Sequence, residues 1–325
     1  MMSILTEIRK PVEKEMRKFE SYFNRTMKSE IPLLRIIVNY ILRRKGKQMR
    51  PLLVFLTAGL HGNISEATYV AATLIELLHT ASLVHDDVVD DARERRGSLS
   101  VNALWNSKIA VLVGDYMLAR GLKISLEKSR YDMLEIVSAA VQSMSEGELL
   151  QIQKARRMNI REEDYFKIIR SKTAALLAAC TACGAKSVTS DAATISLMKD
   201  FGENIGMAFQ IKDDLLDYEN NGLTGKITGN DIKERKLTLP LIHALENSSF
   251  STRRHIMSIV RNNKKTKTDI NEVIEFVKSS GGPEYTAEKM NIYHDRAQEI
   301  LSSYPGSDVR ESLRKFINYT ISREK

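Results

Sequence analysis

Two clusters of aspartates are the residues in this sequence whose type and spacing could do chemistry. Both repeat the spacing DDxxD, and their members are Asp86, Asp87, Asp90, Asp213, Asp214 and Asp217. On a helix, residues i and i+4 lie on one face with i+1 on its flank, so each cluster is predicted to present three carboxylates in one direction. Like charges at this spacing repel, and placing them together in a cleft is costly without a counter-ion.

A divalent cation with oxygen ligands would remove that repulsion. Magnesium commonly binds one or two carboxylates and completes its shell with water and substrate phosphates. One cluster alone could equally be a solvated helix end rich in aspartate, but a second matching cluster favours metal binding. A calcium-binding loop does not fit, because DDxxD lacks the glycine that such a loop requires. The clusters therefore predict magnesium, with several ions at the site.

Basic residues accompany both clusters, where a bound diphosphate would need them. They are Lys47, Arg50, Arg93, Arg95, Arg96, Lys172, Lys226, Lys233, Arg235 and Lys236. Arginine can bind phosphate through two parallel hydrogen bonds, whereas lysine supplies a point charge. Any one of these residues could be an ordinary surface charge. Their repeated placement near acidic clusters favours a diphosphate site.

The composition indicates a helical protein with a substantial core. The chain has 325 residues, 43% of them hydrophobic and 28% charged, with only 16 Gly and 6 Pro. Sparse glycine and proline do not suit an all-β protein full of tight turns. The net charge of +8 fits nucleic acid, a membrane surface or diphosphate substrates, although a solvated basic surface would explain the charge alone.

Apolar residues recur at helical spacing across residues 71–92 and 192–218, the two segments that carry the aspartates. Polar connections are predicted at 59–66, 93–101 and 220–238, and the last is long enough to suggest a function or disorder. No composition break divides the chain. We therefore predict an all-α fold, a single large helical bundle forming one domain over residues 1–325.

Two cysteines, Cys180 and Cys183, form a CxxC pattern in a stretch of small residues. Redox or zinc chemistry is one interpretation, but no second CxxC or histidine pair accompanies it. A small apolar helix face in a reducing compartment is the expected explanation. Residues 1–20 lack an apolar signal core, and no stretch looks like a transmembrane segment, so a cytoplasmic location is expected.

An ordered series of further motifs surrounds the aspartate clusters. It consists of Gly46-Lys47-x-x-Arg50-Pro51, Glu76-x-x-His79 leading to Asp86, Arg95-Arg96-Gly97, Gly114-Asp115, Gly147-Glu148, Lys172-Thr173-Ala174, Phe209-Gln210 leading to Asp213, Gly225-Lys226, Gly229-x-Asp231 and Lys236-x-Thr238-Leu239-Pro240. In this series the chain resembles the trans-isoprenyl (polyprenyl) diphosphate synthase family over most of its length. A lone DDxxD is weak support, but the ordered set is specific.

The resemblance implies a helical bundle around a central cavity, usually as a homodimer, in a magnesium-dependent prenyltransferase. It implies that isopentenyl diphosphate binds Lys47, Arg50, His79 and Arg96. It implies that the allylic diphosphate faces Arg95, Lys172, Thr173, Gln210, Lys226 and Lys236. It also implies that Asp86, Asp90 and Asp213 are the principal metal ligands, supported by Asp87, Asp214 and Asp217. Lys172 and the carboxylates other than Asp217 are the candidate catalytic residues.

The length of the product is indicated by the residues before Asp86. Ala81 and Ser82 are expected about 6–8 Å below the metal site, where an aromatic residue closes the pocket of short-chain members. Small residues there could simply reflect helix packing, yet they favour a medium or long product of octaprenyl type. A geranylgeranyl-type enzyme and the catalytic subunit of a two-subunit synthase remain the alternatives.

Three other classes of protein fit less well. A terpene cyclase normally alters the second aspartate motif, which is intact here. A non-catalytic partner subunit should have lost one acidic cluster, and a nucleic-acid binder would not need paired carboxylates. One departure from the family pattern is Arg235, which stands before Lys236 where a glycine is common. A transient membrane contact during product release is also expected.

Overall fold

A computed structural model describes residues 4–44, 46–95, 97–218 and 229–322 of the chain. Its helices in chain order are α1 (Ile4–Arg9), α2 (Glu13–Thr26), α3 (Pro32–Arg43), α4 (Met49–His61), α5 (Glu66–Val89), α6 (Val101–Trp105), α7 (Ser107–Glu127), α8 (Tyr131–Arg157), α9 (Glu162–Ile169), α10 (Ala175–Lys186), α11 (Ala192–Leu216), α12 (Asn230–Lys233), α13 (Leu239–Glu246), α14 (Phe250–Arg261), α15 (Lys267–Ser279), α16 (Gly282–Ser302) and α17 (Asp308–Ser322). A single 3₁₀ turn (Lys10–Val12) joins α1 to α2, and a π-helical turn (Arg170–Ala174) joins α9 to α10. The predicted all-α fold is confirmed.

Three of the predicted connections differ from the structure. Helix α4 continues to His61, so the connection predicted at 59–66 is shorter. The connection at 93–101 contains the two short strands β1 (Glu94–Arg95) and β2 (Ser98–Leu99), which pair antiparallel around Gly97 at φ 70°. Residues 230–233 of the predicted 220–238 connection form α12, and residues 220–228 lie outside the described residues.

Backbone contacts divide the chain into two compact units, each built from three chain segments. The first unit comprises Met1–Val141, Ala179–Lys199 and Gly306–Leu313, and the second comprises Gln142–Ala178, Asp200–Pro305 and Arg314–Lys325. The single domain expected over residues 1–325 stays a prediction. Each unit is described by itself.

The first unit is organised around α5, which packs against α4 and α7. Helix α5 begins with a capping box, in which the Ser65 side chain and the Thr68 side chain each bind the other residue's backbone. Helix α4 is buried continuously from Pro51 to Ala58, and its Phe55 ring meets Phe19 of α2 edge-on at 5.7 Å. These contacts hold α5 in the core and fix the position of the first aspartate cluster near its C-terminus.

Helix α5 is long and apolar enough to cross a membrane by length and composition, the one such helix among the described residues. Of its most apolar window, 67% is buried inside the protein. That burial is the pattern of a core helix, since a membrane-spanning segment would expose its apolar surface to lipid.

The second unit surrounds α13, which packs on α16 and also contacts α9 and α15. Pro240 stands in the first turn of α13, where the missing N–H is not needed. Apolar residues from several helices fill the core, and they include Leu239, Ile242, Ile256, Val273 and Val277. This core supports α11, which carries the second aspartate cluster.

Both cysteines lie on α10, and both thiols are free and fully buried. Burial raises the pKa of the Cys180 thiol to about 12 and raises that of Cys183 as well. A thiol that stays protonated is a poor nucleophile and a poor metal ligand. The prediction of a small apolar helix face is confirmed.

The close approach of α10 to α4 generates the first testable prediction. A Cβ atom added at Gly184 would lie 2.6 Å from the Val54 carbonyl oxygen and 2.9 Å from the Thr57 Cβ atom. Gly184→Ala should therefore lower the free energy of unfolding by about 1–3 kcal/mol, measured by urea titration, because the two backbones must separate.

The matched control is Gly59→Ala in α4, where the nearest atom is a Val309 side-chain carbon at an ordinary 3.5 Å. Alanine favours a helix over glycine by up to about 1 kcal/mol, so this variant should be neutral or more stable. Equal losses in the two variants would contradict the close-packing explanation.

Candidate active site

The first aspartate cluster lies where α5 ends. Asp86 is half-buried within the last turn, Asp87 is buried, and Asp90 is exposed just beyond the helix. The Asp87 Oδ1 atom accepts a hydrogen bond from Arg95 Nε at 2.6 Å, and the Asn102 amide donates to the Asp87 carbonyl at 3.4 Å. The three carboxylates therefore have different surroundings, whereas the sequence predicted that they point in one direction.

Arg95 reaches Asp87 because the β1–β2 hairpin folds back towards the end of α5. The Ser100 hydroxyl donates to the Ala92 carbonyl at 2.7 Å, and the Tyr40 hydroxyl of α3 donates to the Leu99 carbonyl at 2.5 Å. These bonds close the hairpin at its base. Arg95 is thus paired with the first cluster.

Arg50 and His79 meet in the same unit. The Arg50 Nη1 atom lies 2.8 Å from His79 Nε2. A guanidinium has no acceptor, so Nε2 must accept, and the imidazole carries its proton on Nδ1 in this arrangement. Arg50 stands in the first turn of α4, two residues after Gln48. Gln48 adopts a left-handed φ of 51° and accepts a hydrogen bond from Arg9 at 3.1 Å.

A cleft of about 790 Å³ lies in the first unit. Three of the predicted site residues line it, namely His79, Asp87 and Arg95, together with Tyr40, Arg44, Gly46, Gln48 and Glu76. Lys47, Arg50, Asp86 and Asp90 are not in its lining, although Arg50 contacts His79. Arg96 lies outside the described residues.

Ala81 is fully buried and does not line this cleft. Ser82 is half-buried, and its hydroxyl donates to the His79 carbonyl at 2.9 Å. The cleft wall on this part of α5 is formed instead by Thr80, Leu83 and Val84. The expectation that Ala81 faces the growing product therefore gains no support from this cleft.

The second cluster lies at the end of α11 in the second unit. Asp213 is half-buried, while Asp214 and Asp217 are buried. The Tyr165 hydroxyl donates to Asp214 Oδ2 at 2.7 Å, and Gln210 Nε2 donates to Asp214 Oδ1 at 2.9 Å. Both Asp214 oxygens thus have protein donors.

Burial and, to a smaller extent, the charge of Asp231 raise the pKa of the Asp214 carboxyl to about 7, although the hydrogen bonds from Tyr165 and Gln210 lower it. Burial also raises the pKa of the Tyr165 phenol, so this group remains a donor near neutral pH.

Lys172 and Thr173 occupy the π-helical turn between α9 and α10, whereas the sequence placed them at the start of a helix. The turn has one extra residue, an irregularity common at functional sites. It is pressed against α8, since a Cβ atom at Gly147 would lie 2.7 Å from the Ser171 Cβ atom. The Thr173 hydroxyl donates to Gln210 Oε1 at 2.8 Å, so Thr173, Gln210 and Asp214 form one hydrogen-bonded chain.

The Lys172 ammonium is held by two side chains of α8. It forms an ion pair with Glu148 and donates a hydrogen bond to Gln151 Oε1 at 3.1 Å. Both ion-pair partners are partly exposed, so the pair is open to exchange with an anionic ligand.

Asp217, just after α11, forms hydrogen bonds to the segment that begins at Gly229. Its Oδ2 atom accepts a hydrogen bond from the Asp231 backbone N–H at 2.9 Å, and its carbonyl accepts from Gly229 at 3.1 Å. The Lys236 N–H then donates to the Asp231 carbonyl at 2.8 Å. Asp217 therefore helps position the segment that carries Lys236.

Arg235 adopts a left-handed φ of 59°. Glycine enters this conformation without steric cost, whereas an ordinary side chain pays roughly 1 kcal/mol or more. The departure from the family pattern thus keeps the backbone conformation that a glycine would favour.

A second cleft, of about 710 Å³, lies in the second unit. Five predicted residues line it, namely Lys172, Thr173, Gln210, Asp214 and Lys236, together with Gln151, Tyr165 and Asp231. Lys226 lies outside the described residues. Sequence reasoning assigned no role to Glu148, Gln151, Tyr165 or Asp231; the one usable signal was that Glu148 and Asp231 fall within family motifs.

The donor set suits magnesium, although no three His, Cys, Asp or Glu side chains among the described residues converge closely enough to enclose a metal ion. Magnesium does not need such a cage, because water and substrate phosphates complete its shell. The half-buried Asp86 and Asp213, with the exposed Asp90, offer oxygen ligands next to clefts rich in basic residues.

Comparisons with known proteins agree with the fold and the motifs. The profile of the family described as Polyprenyl synthetase matches residues 31–277. Octaprenyl diphosphate synthase from Escherichia coli is 33% identical over 92% of this chain and 93% of its own length. The chain belongs to the polyprenyl synthetase family, and it is a prenyltransferase of the trans-polyprenyl diphosphate synthase class.

Two solved structures are similar to the chain over nearly their whole length. A decaprenyl diphosphate synthase from Rhodobacter capsulatus has a TM-score of 0.93 and 31% identity, with 99% of each chain covered. A geranylgeranyl pyrophosphate synthase from Bacteroides thetaiotaomicron has a TM-score of 0.84 and 38% identity, covering 99% of this chain and 100% of that one. Magnesium dependence is typical of the family.

The raised pKa of Asp214 generates a prediction for the metal-free protein. Its folded-state value of about 7 exceeds the ordinary 3.8, so the folded protein binds this proton more tightly than the unfolded chain. This contribution to stability is fully present below about pH 4 and is lost as the pH rises towards 7. Asp214→Asn cannot titrate and should make the free energy of unfolding less dependent on pH over this range.

The measurement is urea unfolding in the presence of a chelator at several pH values. Asp91→Asn, at an exposed position beside the first cluster, is the control and should keep the original slope. If Asp214→Asn also keeps that slope, the carboxyl is ionised in the folded protein throughout the range.

Proposed function

We propose that this enzyme condenses isopentenyl diphosphate with an allylic prenyl diphosphate and makes a medium or long all-trans product. The observation that supports it is the composition of the two clefts. Each brings a carboxylate of one aspartate cluster next to basic or amide side chains from distant parts of the chain. A diphosphate with its metal ions needs this combination of charges.

The proposed roles of the side chains are those that the family resemblance implies. Asp86, Asp90 and Asp213 would hold magnesium, with Asp87, Asp214 and Asp217 supporting them. Lys172, Thr173, Gln210 and Lys236 would bind the allylic diphosphate, with Arg95 and Lys226. Lys47, Arg50, His79 and Arg96 would bind isopentenyl diphosphate.

When bound, magnesium neutralises charge on the diphosphate leaving group and so favours breaking the allylic C–O bond. The cationic side chains stabilise the same developing charge. The double bond of isopentenyl diphosphate then forms the new C–C bond with the allylic cation, and loss of a proton restores a double bond. Released diphosphate is the proposed proton acceptor.

The chain is proposed to act as a cytoplasmic homodimer. Apolar side chains of α7 support the dimer, because Val111, Leu112, Leu122 and Leu126 are between 40% and 56% exposed. A repeated apolar surface on one helix is typical of a contact between copies. The alternative for the product is that of a geranylgeranyl-type enzyme, which the 38% identity to such a synthase favours. The alternative for the assembly is one subunit of a heteromeric synthase.

The aspartates generate the first functional prediction. Asp86→Ala and Asp213→Ala should each lower isopentenyl incorporation by about 100-fold or more, because charge stabilisation of the leaving group is lost. The assay uses labelled isopentenyl diphosphate at saturating magnesium, with circular dichroism to confirm folding. Asp91→Asn is the matched control and should retain activity. Near-normal turnover in both alanine variants would contradict the proposed metal sites.

The product length is tested by incubating the purified chain with labelled isopentenyl diphosphate, farnesyl diphosphate and magnesium. We expect products longer than geranylgeranyl diphosphate on reversed-phase chromatography. Products that stop at geranylgeranyl length would support the shorter-chain alternative, and synthesis only after adding a second polypeptide would support the heteromeric one. Light scattering on the same preparation tests the dimer.

A further inference from the structure

Helix α3 exposes an apolar surface that the catalytic function does not use. Leu33 is 45% exposed and Ile36 is 57% exposed, and Ile31 immediately before the helix is 61% exposed. Single exposed apolar residues are common on proteins. Three branched side chains within six residues form a patch, which needs a partner to cover it.

The helix has the pattern of one that lies on a membrane surface. Steps of three and four residues place Leu33, Ile36, Tyr40 and Arg43 on one face. The opposite face is anchored in the core by the buried Ile37 and Val38. Arg35 and Arg44 flank the exposed face, so apolar side chains are bordered by cations.

The charge along the segment that contains α3 is mostly positive, with Glu30 standing directly before it. From Ile31 to Ser65 the sequence contains no aspartate or glutamate. The same segment contains six cations, which are Arg35, Arg43, Arg44, Lys45, Lys47 and Arg50. Basic residues next to an apolar face attract anionic lipid headgroups.

The exposed face of α3 leads to the cleft of the first unit. Tyr40 and Arg44 line that cleft, and the Arg44 guanidinium lies 3.5 Å from the centre of the Tyr40 ring. Leu99, whose carbonyl accepts the Tyr40 hydroxyl, is 48% exposed and lines the cleft too. The apolar face is therefore continuous with the opening of a candidate substrate site.

We propose that α3 docks this enzyme on an anionic membrane surface. The docking site consists of Leu33, Ile36 and Ile31 with Arg35 and Arg43. Only the biological reason for docking rests on the proposed function: docking would bring the cleft next to the membrane, in which a long prenyl product dissolves. The proposal adds a specific surface and a lipid charge to the general expectation of a membrane contact.

A second copy of the chain is a less suitable partner for this face. In a two-fold dimer, the same patch meets itself, so the arginines of one copy would approach those of the other. Within residues 30–65 the sequence sets one carboxylate, Glu30, against six cations, so the repulsion is compensated only in part. An anionic bilayer removes this repulsion and also accepts the apolar side chains.

The test is co-flotation of the full-length chain with vesicles. One set contains phosphatidylcholine alone, and the other contains phosphatidylcholine with about 30% phosphatidylglycerol. The wild-type chain should float with the anionic vesicles only. The double substitution Leu33→Glu and Ile36→Glu should lower the bound fraction by roughly tenfold, because it replaces the inserted side chains by anions.

The matched control is Phe250→Glu. Phe250 is 82% exposed, the highest value among the large apolar residues that the structure describes, and it lies on α14 in the other unit. This variant adds one negative charge at a different apolar site, where the α3 variant adds two, and it should float like the wild-type chain. A second variant, Arg35→Gln with Arg43→Gln, keeps the apolar residues and serves if the glutamate variant does not fold. It should bind anionic vesicles more weakly than the wild-type chain at low salt and should lose less of its binding as salt is raised.

Several outcomes would overturn the proposal. The wild-type chain could fail to float with anionic vesicles, or Phe250→Glu could lose binding as much as the α3 variant. Conversion of a dimer to a monomer by the α3 substitutions would show that copies of the chain cover this face. Condensation assayed in detergent without vesicles should be equal in all variants. A wild-type chain without condensation activity would contradict the proposed function. The membrane proposal would still be decided by the flotation result.

Discussion

Carboxylates at the same helix end repel one another. The arrangement of each candidate site depends on how the protein offsets this repulsion. In each DDxxD cluster, the second aspartate is buried and receives donors from another part of the chain. Asp87 receives Arg95, and Asp214 receives Tyr165 and Gln210. The first aspartate of each cluster, Asp86 or Asp213, stays half-exposed. The repeated motif thus combines one buried carboxylate with one that is half-exposed.

Anchoring of this kind requires close contact between the elements that carry the donors. In the second unit, Gly147 and Gly206 allow it, because added Cβ atoms would lie 2.7 Å from the Ser171 Cβ atom and 2.5 Å from the Ala174 Cα atom. The π-helical turn is therefore held between α8 and α11. Its extra residue orients Lys172 towards Glu148 while Thr173 contacts Gln210. The two glycines contribute to the site because they let the helices approach the π-helical turn closely, and not because they make the backbone flexible.

Much of the fold and the clefts could be predicted from the sequence, because helical periodicity and motif order are local signals. The sequence placed the clusters near the ends of α5 and α11, and the structure confirms both positions. It did not predict the π-helical turn, since an extra residue leaves the apolar spacing almost unchanged. The Tyr165 bond to Asp214 was also missed, because it joins residues 49 positions apart and has no local pattern. Ala81 shows a further limit: a small residue on a core helix looks the same whether it faces a cavity or a neighbouring helix.

The return of the chain after α11 shows how one cluster can serve both structure and chemistry. Asp217 belongs to the motif, yet its carboxylate already binds the Asp231 backbone N–H. That bond starts α12 and leads to Arg235, whose left-handed conformation turns the chain so that Lys236 lines the same cleft as Asp214. Loss of Asp217 would therefore displace Lys236, a proposed phosphate-binding residue, as well as remove a negative charge. A change in metal affinity alone would not describe the effect of losing Asp217, because the same carboxylate supplies a negative charge and fixes the position of Lys236.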